Sequence, residues 1–420
     1  MYDPLRGATA VIDDQLAGAA VTAQVGAFYE RHPYPPPLHD LEDYGRRWDD
    51  RRRRADAHLF WPAEPYRDDR SLLVAGCGTS QAAKYALRWP KASVTGIDFS
   101  SASIEATAKL KRRHGLHNLE LHRMPVEHAS ELARTFDHVV CTGVLHHLPD
   151  PLVGLRALRD VLEPDGAMHL MVYAPYGRAG IYMLQDYCRR LGVGASSAEI
   201  RDLVAALTVL PPNHPLTPLL RGMADFRDEA GLADALLHPQ DRAYSAPQLF
   251  DFLAAADLEF GRWIRQAPYL PTCGALVRSP HRPRLMRLPI EEQYAALELF
   301  RGSMVEHSLV AYRSDRTPRH AVSFDGEDWL NYVPLRLPET ISVQERLPPG
   351  AAAVLINRGH AFTDVYLPVD PPQKLLFDAI DGTRSIGELA PSAAARLTAR
   401  VLFERLWQYD QVVFDTSGIH

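Results

Sequence analysis

LLVAGCGTSQ (72–81) is a short apolar run that ends in two glycines one residue apart, Gly76 and Gly78. An apolar run of this kind, bounded by glycine, reads as a buried strand, and the pattern after it lets the backbone approach a ligand and present N–H groups to it. VTGIDFS (94–100) is a second such run, and it closes on Asp98. An acidic side chain there, about 20 residues after the first glycine, can accept both hydroxyls of a ribose. Glycine turn and acid together read as a nucleotide site.

The alternation continues in both directions from this pair. SLLVAG is a strand, SQAAKYALRWP a helix stopped by Pro90, ASVTGIDFS a strand, and SASIEATAKLKRRHG a helix closed by Gly115. NLELHRM and FDHVVCTG are a third and a fourth strand. PLVGLRALRDVLEPDG is a helix ending at the turn Pro164 to Gly166, and AMHLMVYA is a fifth strand. Strands separated by helices of this length predict an α/β fold, a doubly wound, mostly parallel sheet with helices on both faces and its ligand beyond the carboxyl ends of the strands. The pattern breaks at residues 175–244, where VLPPNHPLTPLL is too rich in proline for one helix. That segment is expected to be a helical insertion after the fifth strand, closing over the ligand edge. SAPQLFDFLAAADL then resumes as a helix, EFGRWIRQAPYL begins as a strand, and CGALVR is the last short strand.

Residues 1–65 form an expected N-terminal helical cap containing the elbow FYERHPYPPP, residues 66–280 the nucleotide-binding domain, and residues 281–420 a smaller α+β domain. The arginine cluster RRWDDRRRR (46–54) is interleaved with aspartates and reads as a solvated helix face.

A glycine turn with a ribose acid suits a dinucleotide dehydrogenase and an S-adenosylmethionine enzyme equally well. FDHVVCTGVLHHLPDP (136–151) separates them. The order GCGTS, Asp98 and HHL resembles class I S-adenosylmethionine-dependent methyltransferases over roughly residues 66–280, and position 81, where a third glycine would complete a dinucleotide fingerprint, is Gln81. The resemblance implies a Rossmann-like sheet of seven strands and S-adenosyl-L-methionine as cofactor. It assigns Gly76, Cys77 and Gly78 to the methionine moiety and ribose, Asp98 to the ribose diol, Phe99 and Ser100 to the adenosine, and Thr142 and Gly143 to the floor under the methionine part. Three positions depart from the family. Val74 stands where an acid commonly precedes the loop, Ser80 replaces a glycine, and LHRMPVEHA lacks the acid that takes the adenine amino group. Pro125 has no N–H, so the Val126 N–H or the Glu127 carboxylate becomes the adenine contact.

Methyl transfer needs alignment, desolvation and, for a protonated nucleophile, a base. Of the adjacent pair His146 and His147, His146 is the candidate for the acceptor side and His147 for a structural role. Tyr173 and Tyr176 fall at the carboxyl end of the fifth strand as pocket residues, Tyr182 and Tyr187 on a helix packing face. Asp241, Arg242 and Tyr244 form a polar cluster, with a buried Asp–Arg turn as its alternative. Phe28, Tyr29 and Tyr34 of the elbow are candidates to cover the cofactor, as family elbows do.

Composition excludes several other classes. With 46% hydrophobic and 23% charged residues and a formal net charge of −6, the chain is an ordinary globular protein with no basis for binding bulk nucleic acid. Cys77, Cys141, Cys188 and Cys273 have neither paired nor metal-ligand spacing, no histidine cluster points to a metal, and reduced intracellular thiols follow. The acidic N-terminus is unlike a signal peptide, and no run approaches the roughly 20 apolar residues of a membrane span, so a cytoplasmic location is expected. Residues 371–420, with the capping box Ser385 to Glu388, weakly resemble a peptide-binding winged helix, a module that also serves in homodimers. The functional expectation is a methyltransferase acting on a small molecule. The alternatives are a protein or peptide methyltransferase recruiting its substrate through the C-terminal domain, and a non-catalytic cofactor-binding scaffold.

Overall fold

The computed structural model describes residues 24–222, 226, 228–315 and 322–419. The acidic N-terminal stretch weighed against a signal peptide lies outside the described residues. Two compact units divide the chain: the first takes Arg70–Glu259, Gly302–Ser314 and the N-terminal segment to Glu42, the second Asp43–Asp69, Phe260–Arg301 and Asp315–His420.

β1 (Ser71–Ala75), β2 (Ser93–Asp98), β3 (Leu119–Arg123), β4 (Phe136–Thr142), β5 (Leu162–Tyr173), β6 (Leu258–Trp263) and β7 (Glu306–Arg313) belong to one seven-stranded sheet ordered β3-β2-β1-β4-β5-β7-β6, all within the first unit except β6, in which the division after Glu259 falls. Pairs β1–β2, β2–β3, β1–β4 and β4–β5 run parallel, and β5–β7 runs antiparallel. The order reverses between β1 and β4, so a crevice opens at their carboxyl ends, where sheets of this kind bind ligands. The parallel strands are apolar on both faces; Leu72 to Ala75 are all buried, as helix-covered strands must be.

Two strand expectations are corrected. CGALVR is a short 3₁₀ turn, Gly274–Arg278, because Gly274 takes a φ of +66° and its N–H is bonded to the Tyr409 hydroxyl instead of a strand ladder. The seventh strand is EHSLVAYR, from the region expected to be wholly C-terminal domain; it returns to pair with β5 from Met168↔Ala311 to Tyr173↔Glu306. The boundary expected at residue 280 therefore gives way to an interleaved chain path. β5 also begins earlier than expected, at Leu162, with the Pro164–Gly166 turn absorbed as an irregularity in its pairing with β4.

The helices follow their capping signals. Ser100 caps Ser101–His114, which ends at Gly115 with φ +60°, and Asp150 caps Pro151–Asp160. The insertion holds Ala179–Leu191, Ser197–Thr208 with the capping box Ser196/Glu199, Thr217–Gly222 and Glu229–Leu237. Pro211, Pro212, Pro215 and Pro239 fall between helices, and Pro218 falls in the first turn of Thr217–Gly222, where its missing N–H costs nothing. Ile181, Leu184, Ile200, Leu203, Leu216 and Leu232 form its core, and Phe28, from the helix over 24–31, is buried in the same cluster. Tyr187 departs from the packing face expected for it and is largely exposed.

The second unit has two small antiparallel sheets, one of β9 (Thr340–Val343), β10 (Ala353–Asn357) and β11 (Leu367–Val369), the other of β8 (Val333–Arg336) and β12 (Val412–Asp415). Helix Ala393–Gln408 lays Leu402, Phe403 and Leu406 into a core with Trp329, Tyr332 and Phe414. Buried Asp410 accepts from the Ala267 N–H at 3.0 Å and faces Arg262 at 3.3 Å and His360 at 3.2 Å, so its charge is matched. The arginine cluster opens helix Asp50–Phe60, capped by Asp49, and Arg52 pairs with Glu339.

Two buried histidines make the first unit sensitive to acid. His169 on β5 is pushed down to about 3, by burial first and then by Arg88, and burial likewise holds His138 on β4 well below the ordinary histidine range. A histidine with a depressed folded pKa stabilises the fold above its unfolded value near 6.5 and loses that contribution as pH falls toward the folded value. Stability should therefore fall by about 1.4 kcal/mol per pH unit for each such group below pH about 6.5. Urea titrations between pH 7 and pH 5 should show the slope reduced by about one proton in His169→Gln; an unchanged slope would contradict this account of His169.

Candidate functional site

The loop after β1 is shaped by its glycines. Gly76 has φ +64°, and a Cβ there would meet Val144 Cγ2 at 2.3 Å. Gly78 has φ +55°, and a Cβ there would lie 3.3 Å from Pro35 Cδ and 3.4 Å from the Tyr34 carbonyl. Thr79 Oγ1 donates to the Pro35 carbonyl at 2.7 Å, which fastens the elbow over this loop. Cys77 turns inward: its side chain is buried, its Sγ lies 3.7 Å from the Gly78 carbonyl, and burial pushes the thiol up. It can offer a ligand only its backbone.

Asp98, at the end of β2, locks this loop. One carboxylate oxygen accepts from the Gly78 N–H at 2.7 Å and the other from the Ser100 N–H at 2.9 Å, while Thr107 Oγ1 donates to the Gly78 carbonyl at 2.9 Å. Burial pushes the carboxyl up from its ordinary value, against the pull of those N–H groups. Each oxygen keeps further acceptor capacity, so the group can take two ribose hydroxyls without giving up the loop. That is the fit a nucleoside requires.

The remaining cofactor candidates surround this centre. Phe99 is 38% exposed beside buried Ser100, whose hydroxyl caps the following helix. Val126 opens a 3₁₀ helix, Val126–Leu132, and the neighbouring Glu127 has a buried carboxylate oxygen with no hydrogen bond. Thr142 accepts from Gln81 Nε2 at 2.7 Å, and Gly143, at φ +77°, donates its N–H to the Met171 carbonyl at 3.2 Å. Tyr29 lies near enough to feel the charge of Asp98.

On the acceptor side His146 is fully buried with neither ring nitrogen bonded, its ring 3.9 Å from that of Tyr173 and 4.2 Å from that of His147. Burial holds it well below the ordinary histidine range, hence neutral. Tyr173 has the Arg178 guanidinium 3.4 Å from its ring centroid, whereas Tyr176 is 41% exposed. The expected cluster of Asp241, Arg242 and Tyr244 is rearranged. Asp241 is buried against Arg178 at 3.3 Å and Gln185 at 2.9 Å, which is the buried Asp–Arg turn with a different arginine. The Tyr244 N–H donates to the Tyr173 carbonyl at 2.9 Å.

Sequence reasoning missed Asp234 and His238. The Tyr29 hydroxyl donates to Asp234 at 3.0 Å, and the His238 ring lies 3.9 Å from that of His147. One ring nitrogen of each histidine and one Asp234 oxygen lie within 4.8 Å of one another. Their signal was DALLH: polar residues four apart at the end of an apolar helix, on one face. The expectation that no histidine cluster exists is thereby corrected, since residues distant in sequence assemble it.

Residues 73–168 match the family model for a methyltransferase domain. An uncharacterized protein of Synechococcus sp. is 29% identical over 328 residues, covering 76% of this chain and 77% of that one. A ubiquinone biosynthesis O-methyltransferase of Acinetobacter baumannii is 27% identical over 149 residues, and the chain spans 58% of its length and 35% of its own. The solved structure of PKMT2 from Rickettsia typhi in complex with AdoHcy shares the fold, with a TM-score of 0.60 at 15% identity over 86% of this chain and 73% of that one. Residues 73–168 carry a methyltransferase domain, and the fold is that of class I S-adenosylmethionine-dependent methyltransferases. S-adenosyl-L-methionine is its cofactor. No helix among the described residues is long and apolar enough to cross a membrane.

Two glycines separate backbone strain from steric demand. Gly192, at φ +68°, has nothing within 4 Å of where a Cβ would stand, so Gly192→Ala should cost only the left-handed penalty of about 1–2 kcal/mol. Gly76→Ala adds the collision with Val144 and should cost about 1–3 kcal/mol more. Equal shifts in urea midpoint would mean that the loop after β1 is not packed against Val144.

Proposed function

We propose that this enzyme methylates a small molecule held at the carboxyl ends of β4 and β5, beneath the insertion and the elbow. The observation that carries this reading is enclosure. His146, His147 and Asp234 are each at most 4% exposed, and the groups around them come from β5, the insertion and the helix over 24–31. Burying that many polar groups is costly unless something bonds them, and a site closed on these sides suits a metabolite better than a polypeptide. The Acinetobacter relative, a ubiquinone biosynthesis O-methyltransferase, supports the same reading.

In this reading Asp98 accepts the ribose hydroxyls, and the backbone of Gly76, Cys77 and Gly78 faces the methionine moiety. The Phe99 ring and Ser100 lie beside the adenosine. The Val126 N–H or the unpartnered Glu127 oxygen meets the adenine amino edge, and Thr142 and Gly143 form the floor. Tyr29 and Tyr34 exclude water from above, while His146, Tyr173 and Tyr176 line the acceptor's path. The reaction is an in-line displacement at an already activated methyl, so alignment and desolvation are the protein's main contributions. We place the enzyme in the cytoplasm, in keeping with its four free buried cysteines, and assign the C-terminal unit to structural support or pairing of two copies.

The test is incubation of the full chain with methyl-labelled S-adenosylmethionine and a cell extract, followed by separation of protein from small molecules. Label is expected in the small-molecule fraction. Label confined to protein would replace this reading with recruitment of a polypeptide.

A further inference from the structure

The backbone of one residue, Gln240, sets the chemistry of two imidazoles. The Gln240 carbonyl lies 2.7 Å from His147 Nδ1, and the Gln240 N–H donates to His238 Nδ1 at 3.1 Å. A carbonyl can only accept, so His147 Nδ1 carries a hydrogen and its Nε2 is a lone pair in the neutral ring. An N–H can only donate, so His238 Nδ1 is a lone pair and its Nε2 carries the hydrogen. The rings lie face to face, 3.9 Å apart at 34°, in opposite tautomers. His238 Nε2 is buried with no hydrogen-bond partner, which calls for a ligand or water opposite it.

We propose that this pair recognises and activates a hydroxyl: the acceptor's O–H donates to His147 Nε2 while its oxygen accepts from His238 Nε2–H. This rests on the small-molecule reading above and names its substrate class. A neutral amine has a single lone pair, which it cannot give both to the His238 donor and to the methyl carbon, whereas a hydroxyl has two; a thiol is weak in both roles. A phenol-like hydroxyl, near the tyrosine value of about 10, gives its proton to an imidazole more readily than an aliphatic alcohol does, and the proposal commits to it. The Tyr29 and Tyr173 rings, 5.4 Å from His238 and 5.7 Å from His147, frame a flat acceptor. In the step, an oxygen lone pair bonds to the methyl carbon, the carbon–sulfur electron pair returns to sulfur, and the hydroxyl proton passes to His147 Nε2. The resulting imidazolium lies beside Asp234, which is itself oriented by Tyr29.

The tautomers are also what separates this site from a metal centre. A metal at His238 Nε2 would need that nitrogen's proton removed while the Gln240 N–H occupies the other, which a neutral imidazole cannot provide.

Nitrogen-15 NMR of the full chain with labelled histidine, bound to S-adenosylhomocysteine, reads the tautomers directly, with His147→Gln and His238→Gln spectra assigning the two rings. Opposite tautomers are expected; equal tautomers, or ring shifts on adding zinc alone, would overturn the proposal. In the second arm, the labelled small-molecule product is treated with hydriodic acid, which releases methyl iodide from methyl ethers. Volatile label is expected, and label retained on nitrogen or sulfur would overturn the hydroxyl assignment. His147→Gln keeps an acceptor but no base and should lose at least about 100-fold in kcat, while His238→Gln keeps a donor and should act mainly on KM. S-adenosylhomocysteine affinity should stay within about twofold in both. Absence of any label would sink the small-molecule reading itself, with the tautomer spectra still deciding the imidazole pair.

Discussion

The buried carboxylate of Asp98 is the constraint around which the first unit is organised. Its two oxygens accept the N–H groups of Gly78 and Ser100, tying the end of β1 to the end of β2. Burial disfavours the charged form, as the upward push on its carboxyl records. A buried carboxylate held at a ligand crevice by backbone donors is the kind of group that serves a ligand as well as the loop. From this point outward the other features follow. Gly78 must be a glycine where the elbow presses close, Thr107 must hold the Gly78 carbonyl, and the elbow itself must be fastened through Thr79.

A second organising principle is enclosure on the acceptor side. The insertion brings Asp234 and His238 to the loop after β4, and the helix over 24–31 brings Tyr29 to Asp234. Arg178 and Asp241 neutralise each other within this wall, where an unpaired charge would cost several kcal/mol, about 3–5 on removal of one partner. The cofactor side is thus built mainly from backbone and one carboxylate, and the acceptor side from side chains donated by separate segments.

That contrast explains what the sequence made legible. The strand-turn-helix units of the sheet are local, set by apolar periodicity, proline stops and capping residues, so β1 to β5 and the glycine loop could be read directly. The same holds for Gly76, Gly78 and Asp98, whose roles depend on backbone conformation and a fixed place at strand ends. β7 was hidden because EHSLVAYR pairs with β5 across more than a hundred residues, and nothing near it in the chain announces that pairing. Asp234 and His238 were hidden for the same reason, while Arg242 was offered for a partnership that Arg178 holds. His147, expected to be structural beside His146, shares Gln240 with His238, and only the folded chain brings these three together.

The most direct test of the central role of Asp98 is calorimetric titration of S-adenosylhomocysteine into the native chain and into Asp98→Ala, with circular dichroism confirming that the variant is folded. The account predicts a dissociation constant raised at least about tenfold, equivalent to roughly 1.4 kcal/mol, through loss of charged hydrogen bonds to the ribose. A folded variant that binds with the native dissociation constant would contradict it and remove Asp98 from the site.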